Sequence, residues 1–98
     1  VRSQLVVDCS HGNSYKDHTK QGMAFKDVVS QRASGDSDII GCMLESNLNP
    51  GNQKLCEDIS QLEYGVSITD ACIGWQETVD LLGWAHDELG TAKPAAVR

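Results

Sequence analysis

The sequence is poor in aromatic residues and lacks any long apolar run. Phe, Trp and Tyr together make up five of the 98 residues, which is a small supply for the core of an independent domain. Nowhere do apolar residues fill the roughly 20 positions that a membrane-spanning helix requires, and the first residues do not resemble a secretory signal. The chain begins with Val1 rather than Met. We therefore expect one domain at most, in a chain that is a fragment or a processed piece. It is expected to pack against further protein and to contact no membrane.

Positive charge is also scarce. Lys and Arg number 8 against 14 Asp and Glu, so the formal net charge is −6. The basic residues are scattered along the chain, whereas a nucleic-acid surface needs them clustered. The composition predicts no nucleic-acid partner, and the acidity is typical of a solvated surface.

Cysteine pairs with CxxC spacing are absent. The four cysteines are Cys9, Cys42, Cys56 and Cys72, and an even number can indicate disulfides. Three of them lie inside apolar stretches, where Cys usually packs as a small hydrophobic residue. We therefore predict reduced thiols in a cytoplasmic protein. Catalysis by a nucleophilic Cys9 or Cys72 is an alternative that would need a lowered thiol pKa.

Two short apolar segments predict β-strands, at Gln4–Asp8 and Asp38–Leu44. Neither segment alternates polar with apolar residues, which indicates burial on both faces. Helices are predicted between and after them, from about Tyr15 to Ala33 and from about Trp75 to Leu89. This order predicts an α/β fold with a parallel sheet. Two strands cannot complete such a sheet, so the segment is expected to belong to a larger α/β unit.

Local signals set the expected helix boundaries. Ser14 can cap the first helix, although Gly22 weakens its middle and would move the start to about Met23. The second helix is expected to bury a face marked by Val79, Leu82 and Ala85, with Leu81 and Leu89 at its sides. Between the second strand and this helix lies a polar stretch, 47–67. A loop of that length is unusual in a compact domain unless it is functional.

Three candidate metal ligands follow apolar segments: His11, Glu45 and Asp70. In parallel α/β folds, functional residues gather at the carboxyl ends of the strands. One imidazole and two carboxylates suit Mn²⁺, Fe²⁺, Co²⁺ or Zn²⁺ better than Ca²⁺. The residues therefore indicate a divalent metal site whose coordination is completed by a water or by another protein ligand.

Simpler interpretations remain open for each candidate. His11 can be a turn residue that is hydrogen-bonded to the backbone, and Glu45 can end a strand in solvent. Asp70 can cap a short turn. Two further histidines are expected on the surface, because isolated surface histidines are common: His18 and His86.

Three stretches closely resemble the carboxyl-terminal part of the type I, amino-acid-inhibited 3-deoxy-D-arabino-heptulosonate 7-phosphate (DAHP) synthases: LVVDCSHGNS, IIGCMLESNLNPGNQ and YGVSITDACIGW. The first two look more like fungal than bacterial members. The resemblance covers about residues 1–90, with 91–98 as a carboxyl-terminal tail. It implies an α/β fold of the (β/α)₈ TIM-barrel type, to which this chain would contribute the last two βα units.

The resemblance also implies an activity and a ligand set. Family members condense phosphoenolpyruvate with erythrose 4-phosphate, the first step of the shikimate pathway to the aromatic amino acids, and they need a divalent metal. The positions that match the metal ligands are His11, Glu45 and Asp70, and the fourth ligand is a Cys from a stretch absent here. Asp70 is also expected to contact the aldose substrate, which makes it the catalytic candidate. The full enzyme is expected to be a homo-oligomer that an aromatic amino acid inhibits.

The chain departs from the family pattern in its basic residues. The Lys-Pro-Arg-Thr stretch and the other cations that hold the substrate phosphates are absent. Its own basic residues are expected mostly on the outer helix: Lys16, Lys20, Lys26, Arg32 and Lys54. We therefore predict that the isolated chain has no synthase activity. The alternatives are an inactive remnant that only packs against a larger barrel and, less favoured, a small module that folds on binding metal.

Overall fold

The computed structural model describes residues 4–91 of the chain. Its two strands, β1 (Leu5–Asp8) and β2 (Ile39–Met43), form a parallel sheet. Val7 pairs with Cys42, and the register is irregular between Leu5 and Val6. Runs of Leu, Val and Ile favour this extended conformation. The predicted α/β fold and parallel pairing are confirmed, with strand boundaries within one residue of those expected.

The first helix, α1 (Gln21–Ala33), begins well after Tyr15 and close to the alternative start at about Met23. Tyr15 and Lys16 have φ values of 56° and 60°, a left-handed conformation that an α-helix cannot contain. The expected start at Tyr15 and the cap at Ser14 are therefore wrong. Short 3₁₀-helices occupy His11–Ser14 and His18–Lys20 instead.

The second helix, α2 (Trp75–Thr91), begins at the predicted residue and extends to Thr91. The rest of the predicted tail, 92–98, lies outside the described residues. Leu81 and Ala85 are buried on α2, whereas Val79 and Leu82 are 42% and 52% exposed. The expected buried face is therefore partly wrong, because α2 packs against α1 along a neighbouring side.

The core lies where α1 meets the sheet and α2. Its buried members are mainly apolar: Cys9, Phe25, Val28, Val29, Ile39, Ile73, Leu81 and Ala85. The strands are only partly covered, since Val6 and Ile40 are 66% and 57% exposed while Ile39 is 6% exposed. Burial of both sheet faces, as expected from the sequence, is thus not reached within residues 4–91.

The predicted long loop after β2 is partly ordered. It contains a 3₁₀-helix, Ile59–Gln61, and three isolated bridges tie its two halves together: Ser46 with Ile73, Gly51 with Cys72, and Asn52 with Ser67. The loop therefore folds back on itself. As a result, the residues that follow β2 and those that precede α2 lie side by side, at the edge of the sheet where β1 also ends.

Candidate metal centre

His11 is held by the residues that end β1. Its Nδ1 lies 2.9 Å from Asp8 Oδ2 and 2.7 Å from Ser10 Oγ. Asp8 also accepts hydrogen bonds from the backbone N–H and the hydroxyl of Ser10, at 2.8 and 2.6 Å. A proton on Nδ1 therefore faces the Asp8 carboxylate, which leaves Nε2 as the atom that can bind a metal.

The three candidate ligands meet at one point. His11 Nε2 lies 3.2 Å from Asp70 Oδ2 and 3.8 Å from Glu45 Oε1, and one ligand atom from each residue falls within 4.8 Å of the others. Ligand atoms bound at about 2.0–2.2 Å to one ion lie roughly 3–3.5 Å apart. The donor set and its spacing therefore fit a divalent transition metal with little adjustment.

The electrostatics of this cluster favour a cation. The hydrogen bond with Asp8, and then that with Asp70, raises the pKa of His11 above its ordinary value. Hydrogen bonds from Ser10 lower the pKa of Asp8 below its ordinary value and thus favour its negatively charged form. Several carboxylates around one imidazole stabilise a positive charge there, whether it is a proton or a metal ion.

An open cavity of about 360 Å³ lies over the cluster. Lys16 and His18 both line it, together with the three candidate ligands. The expectation that Lys16 lies on the outer helix is wrong, because the left-handed turn at Tyr15 and Lys16 precedes α1. His18 is half-buried beside the cavity rather than a plain surface residue, whereas His86 is exposed on α2 as predicted.

Sequence reasoning missed Gln21, which also lines this cavity and is fully buried. Its side-chain amide bonds to the backbone of Glu45. No sequence signal marks Gln21, because a glutamine near the start of a helix is ordinary and its burial is visible only in the structure. Once it is buried, its polar side chain needs hydrogen-bond partners.

The structure does not favour a nucleophilic cysteine. Burial raises the pKa of the Cys9 thiol to about 12, and burial also raises the pKa of Cys72. A thiol with a raised pKa carries too little thiolate at neutral pH to act as a nucleophile. All four cysteines are free, and Cys42 is exposed although it lies in an apolar stretch of the sequence.

None of the helices within residues 4–91 is long and apolar enough to cross a membrane.

Comparison with known proteins gives consistent matches. The model of the DAHP synthetase I family matches residues 1–83. The chain is 46% identical over 97 residues to the Tyr-sensitive phospho-2-dehydro-3-deoxyheptonate aldolase of Escherichia coli, covering 99% of this chain and 27% of that protein. It is 44% identical over 94 residues to the tyrosine-inhibited aldolase of Schizosaccharomyces pombe, covering 91% of this chain and 24% of that protein.

A solved structure is similar as well. The phospho-2-dehydro-3-deoxyheptonate aldolase of Francisella tularensis superposes with a TM-score of 0.84 at 40% identity, covering 93% of this chain and 26% of that one. The chain thus spans about a quarter of the length of the relatives it matches. Bacterial and fungal relatives match at similar identity, 46% and 44%, so the expectation that the sequence is more fungal than bacterial stays a prediction.

Proposed function

The chain belongs to the DAHP synthetase I family, and on that premise we propose that it is the carboxyl-terminal part of an enzyme that condenses phosphoenolpyruvate with erythrose 4-phosphate. The observation that supports this most strongly is the meeting of His11, Glu45 and Asp70 where β1 and β2 end. Parallel strands with helical cover and half-exposed apolar faces also fit the last two βα units of a TIM barrel.

The proposed roles follow from the positions of the side chains. His11 would hold a divalent metal through Nε2, while Asp8 fixes its imidazole. Glu45 and Asp70 would each supply a carboxylate oxygen. When bound, Mn²⁺, Fe²⁺, Co²⁺ or Zn²⁺ would act as a Lewis acid for the aldehyde of erythrose 4-phosphate. The Asp70 side chain is 64% exposed beside His11, so it is the ligand best placed to touch the aldose as well.

Other parts of the proposed enzyme lie outside this chain. The resemblance places a Cys ligand and the basic residues that hold the substrate phosphates upstream, while Lys16 is a cation at the rim of the present cavity. Inhibition by an aromatic amino acid is proposed because two relatives are named as Tyr-sensitive and tyrosine-inhibited. Homo-oligomer formation and a cytoplasmic location remain predictions.

Substitution of two ligands in the full-length enzyme tests this proposal. We expect His11→Ala and Glu45→Ala each to weaken Mn²⁺ binding and to lower phosphoenolpyruvate consumption by at least about 100-fold, since even partners of metal ligands are worth 10–100-fold. His86→Ala is the matched control, because His86 is exposed on α2. Wild-type binding and turnover in both ligand variants would show that the cluster is not the metal centre.

A further inference from the structure

Gln21 forms a two-point contact with the backbone of Glu45. Its Nε2 donates to the Glu45 carbonyl oxygen at 3.1 Å, and its Oε1 accepts from the Glu45 N–H at 2.8 Å. The side chain is fully buried although it is polar. Glu45 lies just beyond the end of β2. The Gln21 amide bonds to both its backbone N–H and its backbone carbonyl, as a residue of a neighbouring strand would.

This contact helps to fix the backbone from which the Glu45 carboxylate projects. The Glu45 carbonyl also accepts a hydrogen bond from the Ile73 N–H at 2.9 Å. Both backbone polar groups of Glu45 are thus bonded, to α1 on one side and to the segment before α2 on the other. Bonds to both groups fix the direction in which the Glu45 side chain leaves the backbone, and that side chain is only 24% exposed, so its surroundings further limit the positions of the carboxylate.

We propose that Gln21 is a positioning residue that sets the place of Glu45 in the metal centre, an inference that rests on the proposed function. Gln21 does not reach the metal itself, because both polar atoms of its amide are engaged with the Glu45 backbone. Only a side chain with one donor and one acceptor at this length makes both bonds. Methionine has a similar length but can form neither of these hydrogen bonds. Gln21→Met would therefore leave the backbone N–H of Glu45 buried without this partner and would fix the Glu45 backbone less firmly.

The loop after β2 offers a matched control in Gln53. Its Nε2 donates to the Glu63 carbonyl at 2.8 Å and its Oε1 accepts from the Glu63 N–H at 2.9 Å. Gln53→Met therefore removes a two-point contact of the same kind, together with a further hydrogen bond from Nε2 to the Val66 carbonyl at 2.9 Å. Gln53 is partly buried, whereas Gln21 is fully buried. Glu63 is not part of the metal cluster, so Gln53→Met removes at least as many hydrogen bonds as Gln21→Met without loosening a candidate ligand.

The experiment compares both variants in the full-length enzyme. Mn²⁺ binding is titrated by electron paramagnetic resonance of the free ion, Co²⁺ absorption reports the ligand geometry, and thermal unfolding of the metal-free protein reports stability. We expect Gln21→Met to weaken Mn²⁺ binding about 10-fold or more and to alter the Co²⁺ spectrum. Gln53→Met is expected to lower the unfolding temperature while leaving Mn²⁺ binding within about twofold and the Co²⁺ spectrum unchanged.

Equal Mn²⁺ affinities and identical Co²⁺ spectra in the two variants would overturn the role of Gln21. If Gln21→Met does not fold, Gln21→Asn serves instead, because it stays polar but is too short for both bonds, and wild-type Mn²⁺ binding in it would overturn the role equally. The proposed function has a separate test. It would be contradicted if His11→Ala and Glu45→Ala bound Mn²⁺ as tightly as the wild type does.

Discussion

At the scale of single residues, the proposed metal centre depends on how the His11 ring is held. Asp8 ends β1 and contacts Nδ1 of His11 at 2.9 Å. A carboxylate in that position fixes the ring and raises its basicity as a ligand. We predict that Asp8→Ala lowers the Mn²⁺ affinity of the full-length enzyme by about 10–100-fold, measured by competition with a chelating dye.

Asp58→Ala is the control for that substitution. Asp58 accepts from the N–H and the hydroxyl of Ser60, just as Asp8 does from Ser10, but no candidate ligand contacts it. If Asp8→Ala and Asp58→Ala had equal Mn²⁺ affinities, the role of Asp8 would be limited to stabilising the turn after β1.

The three candidate ligands could be found from the sequence because each stands shortly after an apolar segment or within a motif of the family. Gln21 and Lys16 could not be identified as residues of the site from the sequence. Their positions beside the cavity depend on two consecutive left-handed residues, Tyr15 and Lys16, and neither residue type favours that conformation. The apolar residues at helical spacing begin only at Met23, so their pattern could not show where the helix starts or how the chain turns before it.

At the scale of elements, the loop after β2 brings Asp70 close to His11. Gly65 allows two parts of this loop to pack closely against each other. Gly65 has φ +78°, and a Cβ added there would meet Leu48 Cβ at 2.8 Å. Its carbonyl also accepts from the Asn49 N–H at 2.8 Å. We predict that Gly65→Ala destabilises the full-length enzyme by about 1–3 kcal/mol, measured by urea unfolding.

Gly83→Ala controls for the added methyl group. Gly83 lies on the exposed side of α2, and nothing described lies within 4 Å of an added Cβ. Alanine favours a helix over glycine by about 0.5–1 kcal/mol, so a small gain in stability is expected. A similar effect from both substitutions would contradict the close fold of the loop around Gly65.

The boundaries of β1 and β2 and the start of α2 were predictable from apolar runs and their neighbours. The buried face of α2 was not predictable, because two adjoining sides of this helix carry apolar residues. Leu81 faces α1 and is 6% exposed, whereas Leu82 is 52% exposed. Periodicity shows that a helix has an apolar side, but the packing partner decides which part of it is covered.

At the scale of the whole molecule, the chain exposes apolar surface on both the sheet and α2. Ile40 and Leu82 are each more than half exposed, which fits a segment that packs against further protein. We predict that the isolated 98-residue chain shows no condensation of phosphoenolpyruvate with erythrose 4-phosphate, because it lacks the Cys ligand and the phosphate-binding cations that the family resemblance implies. The assay is phosphate release, with the full-length enzyme as positive control, and detectable turnover by the chain would contradict the prediction.

The α/β class followed from the order of elements, whereas the barrel came only from the family resemblance and stays a proposal. Two paired strands, β1 and β2, are compatible with several parallel folds. They do not determine how many strands a full sheet has or whether it closes, so no local pattern in this sequence could have predicted a barrel.

All of these proposals depend on His11, Glu45 and Asp70 holding one divalent metal. The first measurement to make is anomalous X-ray scattering from crystals of the full-length enzyme grown with Mn²⁺. We predict one strong manganese peak about 2.0–2.3 Å from His11 Nε2 and from an oxygen of each carboxylate. A peak bound elsewhere, with these three side chains free of metal, would contradict it.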